Sequence, residues 1–211
     1  MGVSNTRRCW NMFQLPESVE SACNVGCCGI DGCVSTLVGA SLVNPDRLCY
    51  VVVGDLTFFY DLNSLGNHHI GTNLRVMLVN NGRGTEFRLG IHHCNVFGDD
   101  ADKYMAAAGH FGNKSPLLVK HYAEDLGFHY LSATTKEEFM TALSNFTNPQ
   151  LSDHSMILEV FTDSKDESEA LYLMSHIQSD AKGMVRSKLK DAVRNVAGEK
   201  GINAIKKILK K

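Results

Sequence analysis

Three short, largely apolar runs constrain the fold of this chain more than any other feature of its sequence. They span residues 48–53, 74–79 and 156–161. The first is uninterrupted, and apolar runs of this length are typical of strands that helices cover on both faces. Weaker strand candidates lie at residues 21–24 and 128–131. Helical patterns fall between the strands, at residues 31–43, 57–67, 116–126, 135–146 and 166–178. This alternation predicts an α/β fold with three layers, α/β/α, around a mostly parallel sheet.

Local signals fix some helix ends and single out one irregular stretch. Thr135 and Glu138 have the spacing of a capping box, in which a hydroxyl and a carboxylate each accept from an amide at the helix start. Gly127 follows another helical pattern, where a left-handed residue is needed to end the helix.

Residues 80–114 show little periodicity, and structureless segments of that length are usually functional.

Polar residues follow two of the strong strands. Gly54 and Asp55 come directly after the first, and Asn81 comes after the second. Open parallel sheets bind ligands at the carboxyl ends of their strands. Carboxylate and amide oxygens suit Mg²⁺, while the amides of Leu56 and Thr57, at a helix start, favour an anion. The sequence therefore predicts a metal-bridged diphosphate at an exposed strand end, with Gly54 allowing close approach to the backbone.

Each of these patterns also has an ordinary structural interpretation. Gly-Asp after a strand is common as a turn and helix cap, and Asn-Asn-Gly is a common loop sequence. Ile30 would fit a buried core, and Asp31 a plain N-cap. Taken together, in this order and at this spacing, the patterns favour a cofactor site.

The spacing and flanks of these motifs resemble a known family. Gly-Asp after one strand and Asn-Asn after the next, with 26 positions from Asp55 to Asn81, resemble the signature of thiamine-diphosphate-dependent enzymes. Residues 29–36 and 54–63 are similar to the carboxy-terminal domain of the 2-succinyl-5-enolpyruvyl-6-hydroxy-3-cyclohexene-1-carboxylate synthases of menaquinone biosynthesis. The resemblance covers roughly residues 4–162. It implies the thiamine-diphosphate-binding fold, with thiamine diphosphate and Mg²⁺ as cofactors.

The resemblance also implies roles for individual residues. Asp55 and Asn81 would bind Mg²⁺ through their side chains, and Arg83 through its carbonyl. Ile30 would be the apolar wedge that bends the cofactor. The residues implied in cofactor binding are Ser4, Asn5, Gly29, Ile30, Gly54, Asp55, Leu56, Thr57, Asn81 and Arg83.

The activity that the resemblance implies is that of a decarboxylating carboligase, a transferase. Members of the family attack a 2-oxo acid, release CO₂ and pass the remaining carbanion to an acceptor. Their cofactor lies between two domains, and the other domain supplies the activating glutamate. That catalytic glutamate is expected outside these 211 residues, so this chain is expected to be incomplete alone. The implied partners are a pyrimidine-binding domain or subunit, further copies in a dimer or tetramer, and a small-molecule 2-oxo acid.

Three departures from the synthases concern the substrate pocket. Val25 stands nearest to a position where the synthases carry a basic residue, and Arg8 is the candidate for a second such residue. Glu86 and Phe87 replace an apolar pair, which places a carboxylate in an acid-binding pocket. An insert around residues 97–113 has no counterpart. Arg8, Glu86 and Phe87 are therefore the substrate candidates, and the expected substrate is a smaller or less acidic 2-oxo acid than 2-oxoglutarate.

Two alternatives to the synthase interpretation stay open. One is the cofactor-binding subunit or fragment of another thiamine-diphosphate-dependent decarboxylase or lyase, which Val25 and Glu86 favour. The other is a non-catalytic interaction module, against which the intact pair of Asp55 and Asn81 argues.

Charge is unevenly distributed along the chain. The formal net charge is −2, but residues 184–211 carry nine Lys and Arg against Asp191 and Glu199. We therefore predict a cofactor-binding domain over residues 1–183 and a basic helical tail over residues 184–211. A basic tail is more often a solvated helix that docks on its own acidic body than a contact for RNA or a membrane, so neither is expected as a partner.

The amino terminus and the cysteines indicate the cytoplasm. Arg7 and Arg8 lead into a mixed segment rather than the apolar core of a signal peptide, and no apolar run reaches the length of about 20 residues that a membrane span needs. Four of the seven cysteines crowd one stretch without the paired Cys-x-x-Cys units of zinc sites, which favours reduced thiols. They are Cys23, Cys27, Cys28 and Cys33.

Overall fold

The computed structural model describes residues 1–26, 29–89, 92–105, 115–148, 150 and 153–177. Packing divides the chain into two compact units, residues 1–168 and residues 169–211. The predicted tail over residues 184–211 and the boundary at its start lie outside the described residues, as do Cys27, Cys28 and part of the predicted insert. Within the described ranges, no helix has the length and hydropathy needed to cross a membrane.

Four parallel strands form the sheet that positions the site. Strands β1 (Cys49–Gly54), β2 (Leu74–Asn80) and β4 (Met156–Phe161) match the three predicted runs, and β3 (His129–Ala133) matches a weaker candidate. Their order across the sheet is β1-β2-β4-β3, and every neighbouring pair is parallel. The predicted α/β class with a parallel sheet is confirmed.

The predicted helices are present, with shifted ends. The helices are α1 (Asn5–Trp10), α2 (Cys33–Val43), α3 (Asp55–Tyr60), α4 (Ala101–Tyr104), α5 (Leu118–Asp125), α6 (Lys136–Phe146) and α7 (Ser164–His176). Helices α1 and α4 were not predicted, because they are too short to show a helical period. Short 3₁₀ helices at Thr85–Arg88 and His93–Asp100 give local structure to a stretch that the sequence pattern marks as irregular.

One predicted helix is divided in two. The pattern predicts a helix over residues 57–67, but α3 begins at Asp55 and gives way after Tyr60 to a 3₁₀ helix, Leu62–Gly66. Asp61 leaves helical geometry between them, with φ −120° and ψ 12°. Its carboxylate accepts from the backbone N–H of Ser35 at 2.6 Å and from the Ser35 hydroxyl at 3.0 Å. The helix is therefore interrupted where one side chain ties α3 to the start of α2.

The weak strand candidate at residues 21–24 is wrong. These residues are irregular, although the amino group of Met1 donates to the carbonyl of Ala22 at 2.9 Å. Gly2 lies along β1 instead, and its N–H donates to the carbonyl of Val52 at 2.8 Å. The amino-terminal residues therefore contact both this irregular segment and the edge of β1.

Helices cover both faces of the sheet. Val76 and Ile157 are partners in register, and both belong to the core that α2, α3 and α5 cover. The next pair in register, Met77 and Leu158, packs in the core under α6 on the opposite face. Successive residues of a strand point to opposite faces, so the three-layer α/β/α arrangement is confirmed.

Replacing Thr135 by alanine is expected to lower the free energy of unfolding by about 1 kcal/mol. The Thr135 hydroxyl accepts from the N–H of Glu138 at 3.2 Å, and the Glu138 carboxylate accepts from the N–H of Thr135 at 3.2 Å. Alanine removes the first of these bonds and leaves a helix-start amide without its acceptor. Urea unfolding measures the loss. Thr141→Ala, at an exposed position within α6, should change the stability far less, and equal losses would contradict the capping role.

Candidate functional site

Strands β1 and β2 end side by side. They are parallel neighbours, and the last pair in register is Gly54 with Val79. Asp55 and Asn80 each follow that pair by one residue, so the two polar turns leave the sheet at the same carboxyl edge. This is the edge at which open parallel sheets bind ligands.

Asp55 begins α3 and is buried, with only 3% of its surface exposed. The expectation of an exposed strand end is wrong, since Asp55 is almost fully buried. The charge of Asp55 also helps to raise the pKa values of Glu159 and Glu167. One carboxylate oxygen of Asp55 accepts from the N–H of Leu56 at 2.9 Å. Leu56 and Thr57, the other residues predicted to hold the diphosphate, are also buried in the first turn of α3.

Gly54 leaves space at the end of β1. Its backbone is extended, with φ −78° and ψ 166°, a conformation that any residue adopts. A Cβ added at Gly54 would have no heavy atom of the chain within 4 Å. The fold therefore does not require glycine here, and the open space is what a phosphate needs to approach the backbone.

The turn after β2 is held by the side chain of its first residue, Asn80. The Asn80 amide donates to the Glu159 carboxylate at 2.7 Å, and its oxygen accepts from the N–H of Gly82 at 3.2 Å. Gly82 has a φ of +77°, which glycine adopts without strain. The buried carboxylate of Glu159, in β4, therefore anchors the turn to the sheet.

Asn81 is held at both ends of its amide. The nitrogen donates to the Thr85 hydroxyl at 2.7 Å and to the Glu167 carboxylate at 2.8 Å. The oxygen accepts from the N–H of Arg83 at 3.0 Å. Arg83 is half-buried, and its guanidinium lies 3.8 Å from the carboxylate of Asp102. Residues 80–85 contain two of the predicted Mg²⁺ ligands, and on the basis of that prediction we refer to them as the metal loop.

Asp55 acts on two other carboxylates beside the metal loop, and its charge helps to raise the pKa of each. Burial is the largest cause that raises the pKa of Glu159, the charge of Asp55 adds to it, and hydrogen bonds from Asn80 and Tyr130 oppose it. Burial also raises the pKa of Glu167, again with a contribution from Asp55. A divalent cation at Asp55 would relieve this repulsion, so the donor chemistry of the site fits Mg²⁺.

The proposed Mg²⁺ ligands are one carboxylate, one amide and one carbonyl. Over the part of the chain that the structure describes, no cluster of three or more His, Cys, Asp and Glu is arranged to hold a metal ion. The described members of the cysteine-rich stretch, Cys23 and Cys33, are free thiols.

The amino-terminal residues bring Arg8 and Glu86 together. Arg8 lies in α1 and donates to the Glu86 carboxylate at 2.5 Å, and about a third of each side chain is exposed. Burial acts to raise the pKa of Glu86, but hydrogen bonds from Ser4 and Arg8 and the charge of Arg8 hold that pKa below its ordinary value. Ser4 has a φ of +71°, which is strained for a residue with a side chain. Asn5, which begins α1, accepts from Arg8 at 3.3 Å.

Phe87 contacts His92, just before the predicted insert, and Arg88 contacts the insert itself. The ring of Phe87 meets that of His92 edge-on, with 5.0 Å between centroids. Arg88 donates to the Gly98 carbonyl at 3.3 Å and pairs with the carboxylates of Asp99 and Asp102. The described part of the insert is therefore attached to the segment that follows the metal loop.

Gly29 and Ile30 are half-buried residues that lead into α2. The start of α2 is tied to Asp61 at the end of α3 through Ser35. The role of Ile30 as a wedge against the cofactor stays a prediction.

Two site residues were missed by sequence reasoning. Glu159 carried a usable signal, because a glutamate within a strand covered on both faces must have a buried partner. Glu167 carried none, since a glutamate in the first turn of a helix is ordinary. Both contact the metal loop from positions about 80 residues further along the chain.

No protein-family profile matches the chain. Individual curated proteins do, and three that match carry the name 2-succinyl-5-enolpyruvyl-6-hydroxy-3-cyclohexene-1-carboxylate synthase. The protein of Bacteroides fragilis is 34% identical over 168 residues, which are 80% of this chain and 29% of the relative. That of Phocaeicola vulgatus is 35% identical over 171 residues (80% and 28%), and that of Christiangramia forsetii 35% over 170 residues (81% and 28%).

This chain is a relative of these synthases. The similarity extends over four fifths of the chain and confirms the resemblance read from the motif flanks. The chain spans less than a third of the length of the synthases that it matches.

Proposed function

We propose that this chain binds thiamine diphosphate and Mg²⁺ as the diphosphate-side domain of a 2-oxo acid decarboxylating carboligase similar to the synthases. The observation that carries the proposal is the edge shared by β1 and β2, where Asp55 and Asn81 lie near the buried Glu159 and the half-buried Glu167. Sequence similarity to the synthases supports the same assignment.

The residues of this chain would bind and orient the cofactor. Asp55, Asn81 and the Arg83 carbonyl would hold Mg²⁺, and Leu56 and Thr57 would hold the diphosphate through the start of α3. When bound, thiamine diphosphate supplies a carbon nucleophile for the 2-oxo acid.

Further residues would complete the cofactor envelope. Ser4 and Asn5 adjoin the end of β1 through Gly2, which is bonded to Val52, and would contact the diphosphate. Gly29 and Ile30 would support the thiamine. A pyrimidine-binding domain or subunit would supply the activating glutamate, and a cytoplasmic dimer or tetramer would be the working assembly.

A second candidate is a decarboxylase or lyase for a different 2-oxo acid, and the ion pair of Arg8 with Glu86 favours it. A dianionic substrate needs a cation to pair with its second carboxylate. Arg8 is already paired with Glu86 at 2.5 Å and is therefore not available for that role. A substrate with one carboxylate makes no such demand. The pair therefore favours a smaller or less acidic 2-oxo acid.

The experiment that tests the proposal is a calorimetric titration of thiamine diphosphate into the assembled protein, meaning this chain with its pyrimidine-side domain or subunit. Binding should require Mg²⁺. Gly54→Ala should weaken it by about tenfold or more, because the new methyl group enters the space proposed for the diphosphate. Gly39→Ala, in α2, also adds a Cβ with nothing within 4 Å, and it should bind as the native protein does. Binding without Mg²⁺, or equal affinity in both variants, would overturn the assignment.

A further inference from the structure

We propose that Glu167 is the positioning residue that fixes the amide of Asn81 with its oxygen toward the cation. The inference rests on the proposed function, in which Asn81 is a Mg²⁺ ligand. An amide coordinates a hard cation through its oxygen and not through its nitrogen. Its two ends have almost the same shape, so the hydrogen-bond partners decide which end faces the metal.

The partners of Asn81 leave one arrangement. A carboxylate only accepts, so the amide end 2.8 Å from Glu167 must be the NH₂ group. The Thr85 hydroxyl can donate or accept and therefore does not discriminate between the two ends. On the other side, the N–H of Arg83 donates to the amide oxygen at 3.0 Å. Rotating the amide by half a turn would place its oxygen against the Glu167 carboxylate and its NH₂ group against the N–H of Arg83. Two favourable contacts would then become two repulsive ones.

Glu167 is itself fixed in place. Its second carboxylate oxygen accepts from the Thr162 hydroxyl, just after β4. Its backbone N–H donates to the carbonyl of Asp163 at 3.0 Å, in the first turn of α7, where a negative side chain is favoured. A carboxylate held at both oxygens has little freedom to turn, so it can impose an orientation on the amide that it contacts.

An amide oxygen has two acceptor sites. The Arg83 N–H uses one of them, which leaves the second to coordinate a cation. Glu167 thus acts through Asn81 and needs no contact with the metal. Supporting residues of this kind typically change metal affinity by about 10- to 100-fold when they are removed.

Three variants of the assembled protein test the inference by calorimetric titration of Mg²⁺ at saturating thiamine diphosphate. Glu167→Ala should weaken Mg²⁺ binding by about tenfold or more, because the amide loses the partner that orients it. Glu167→Gln retains an acceptor oxygen and should stay near the native affinity. Asp166→Asn removes an exposed carboxylate from the same helical turn and should have no effect.

Two further readouts separate positioning from general damage. Saturating Mg²⁺ should return the thiamine diphosphate affinity of Glu167→Ala to the native value, and its thermal unfolding without ligands should match that of Asp166→Asn. Native affinity in Glu167→Ala would overturn the inference, and so would equal losses in the alanine and glutamine variants, which would indicate a charge effect. Absence of Mg²⁺-dependent binding in the native protein would instead overturn the proposed function.

Discussion

Replacing Asp55 by asparagine is expected to weaken Mg²⁺-dependent binding of thiamine diphosphate by at least about 100-fold, beyond the usual range for residues that only support a metal ligand. The change removes one negative charge from the proposed metal site and almost no volume. Asparagine retains an oxygen that can accept from the N–H of Leu56, as Asp55 does at 2.9 Å. Because Asp55 is buried, this substitution is a sharper test than alanine, which would also leave a cavity.

Titration calorimetry of the assembled protein measures the effect, and circular dichroism of the ligand-free variant checks the fold. Asp125→Asn is the matched control, since it removes the same charge from an exposed position at the end of α5. Undiminished binding in Asp55→Asn would show that Asp55 is not a metal ligand. Equal losses in both variants would show that net charge, rather than a ligand, controls the affinity.

Replacing Glu86 by isoleucine is expected to shift substrate preference toward 2-oxoglutarate. The native carboxylate holds Arg8 at 2.5 Å, and its loss frees that guanidinium for the second carboxylate of the substrate. A charge-assisted hydrogen bond contributes about 1.5–3 kcal/mol, so the ratio of kcat/KM for 2-oxoglutarate over pyruvate should rise by roughly tenfold or more. Steady-state kinetics with both acids in the assembled enzyme measure the ratio.

Two control variants show whether the effect of Glu86→Ile depends on Arg8. Glu86→Gln keeps a hydrogen-bond acceptor for Arg8 and should give a smaller shift. Adding Arg8→Met to Glu86→Ile should abolish the gain, because no freed guanidinium remains. If the native enzyme already prefers 2-oxoglutarate strongly and Glu86→Ile leaves that ratio unchanged, Glu86 does not set specificity.

The strand ends of the site could be predicted because they depend on local pattern. The apolar runs that end at Val53 and Val79 are long enough to read as strands, and the parallel sheet brings their ends together. The capping box at Thr135 is equally local, with both of its partners within four residues.

The burial of the site could not be predicted, because it depends on residues far apart in the chain. Asp55 follows a strand directly, a position that suggests exposure, yet Glu159 and Glu167 approach it from the end of β4 and the start of α7. Nothing near Asn81 in the sequence identifies Glu167 as the partner of its amide.

The order of the strands has a consequence for how the chain matures during synthesis. Strand β4 is the last of the four to be translated, yet it lies between β2 and β3. Asn81 leaves the ribosome 86 residues before Glu167, its partner, which is a delay of roughly 4–17 s at typical translation rates of about 5–20 residues per second. Throughout that interval the metal loop lacks the two carboxylates that order it. If the loop binds Mg²⁺ as proposed, only chains that have inserted their final strand could hold the cofactor, and retention of Mg²⁺ would mark the molecules whose folding is finished.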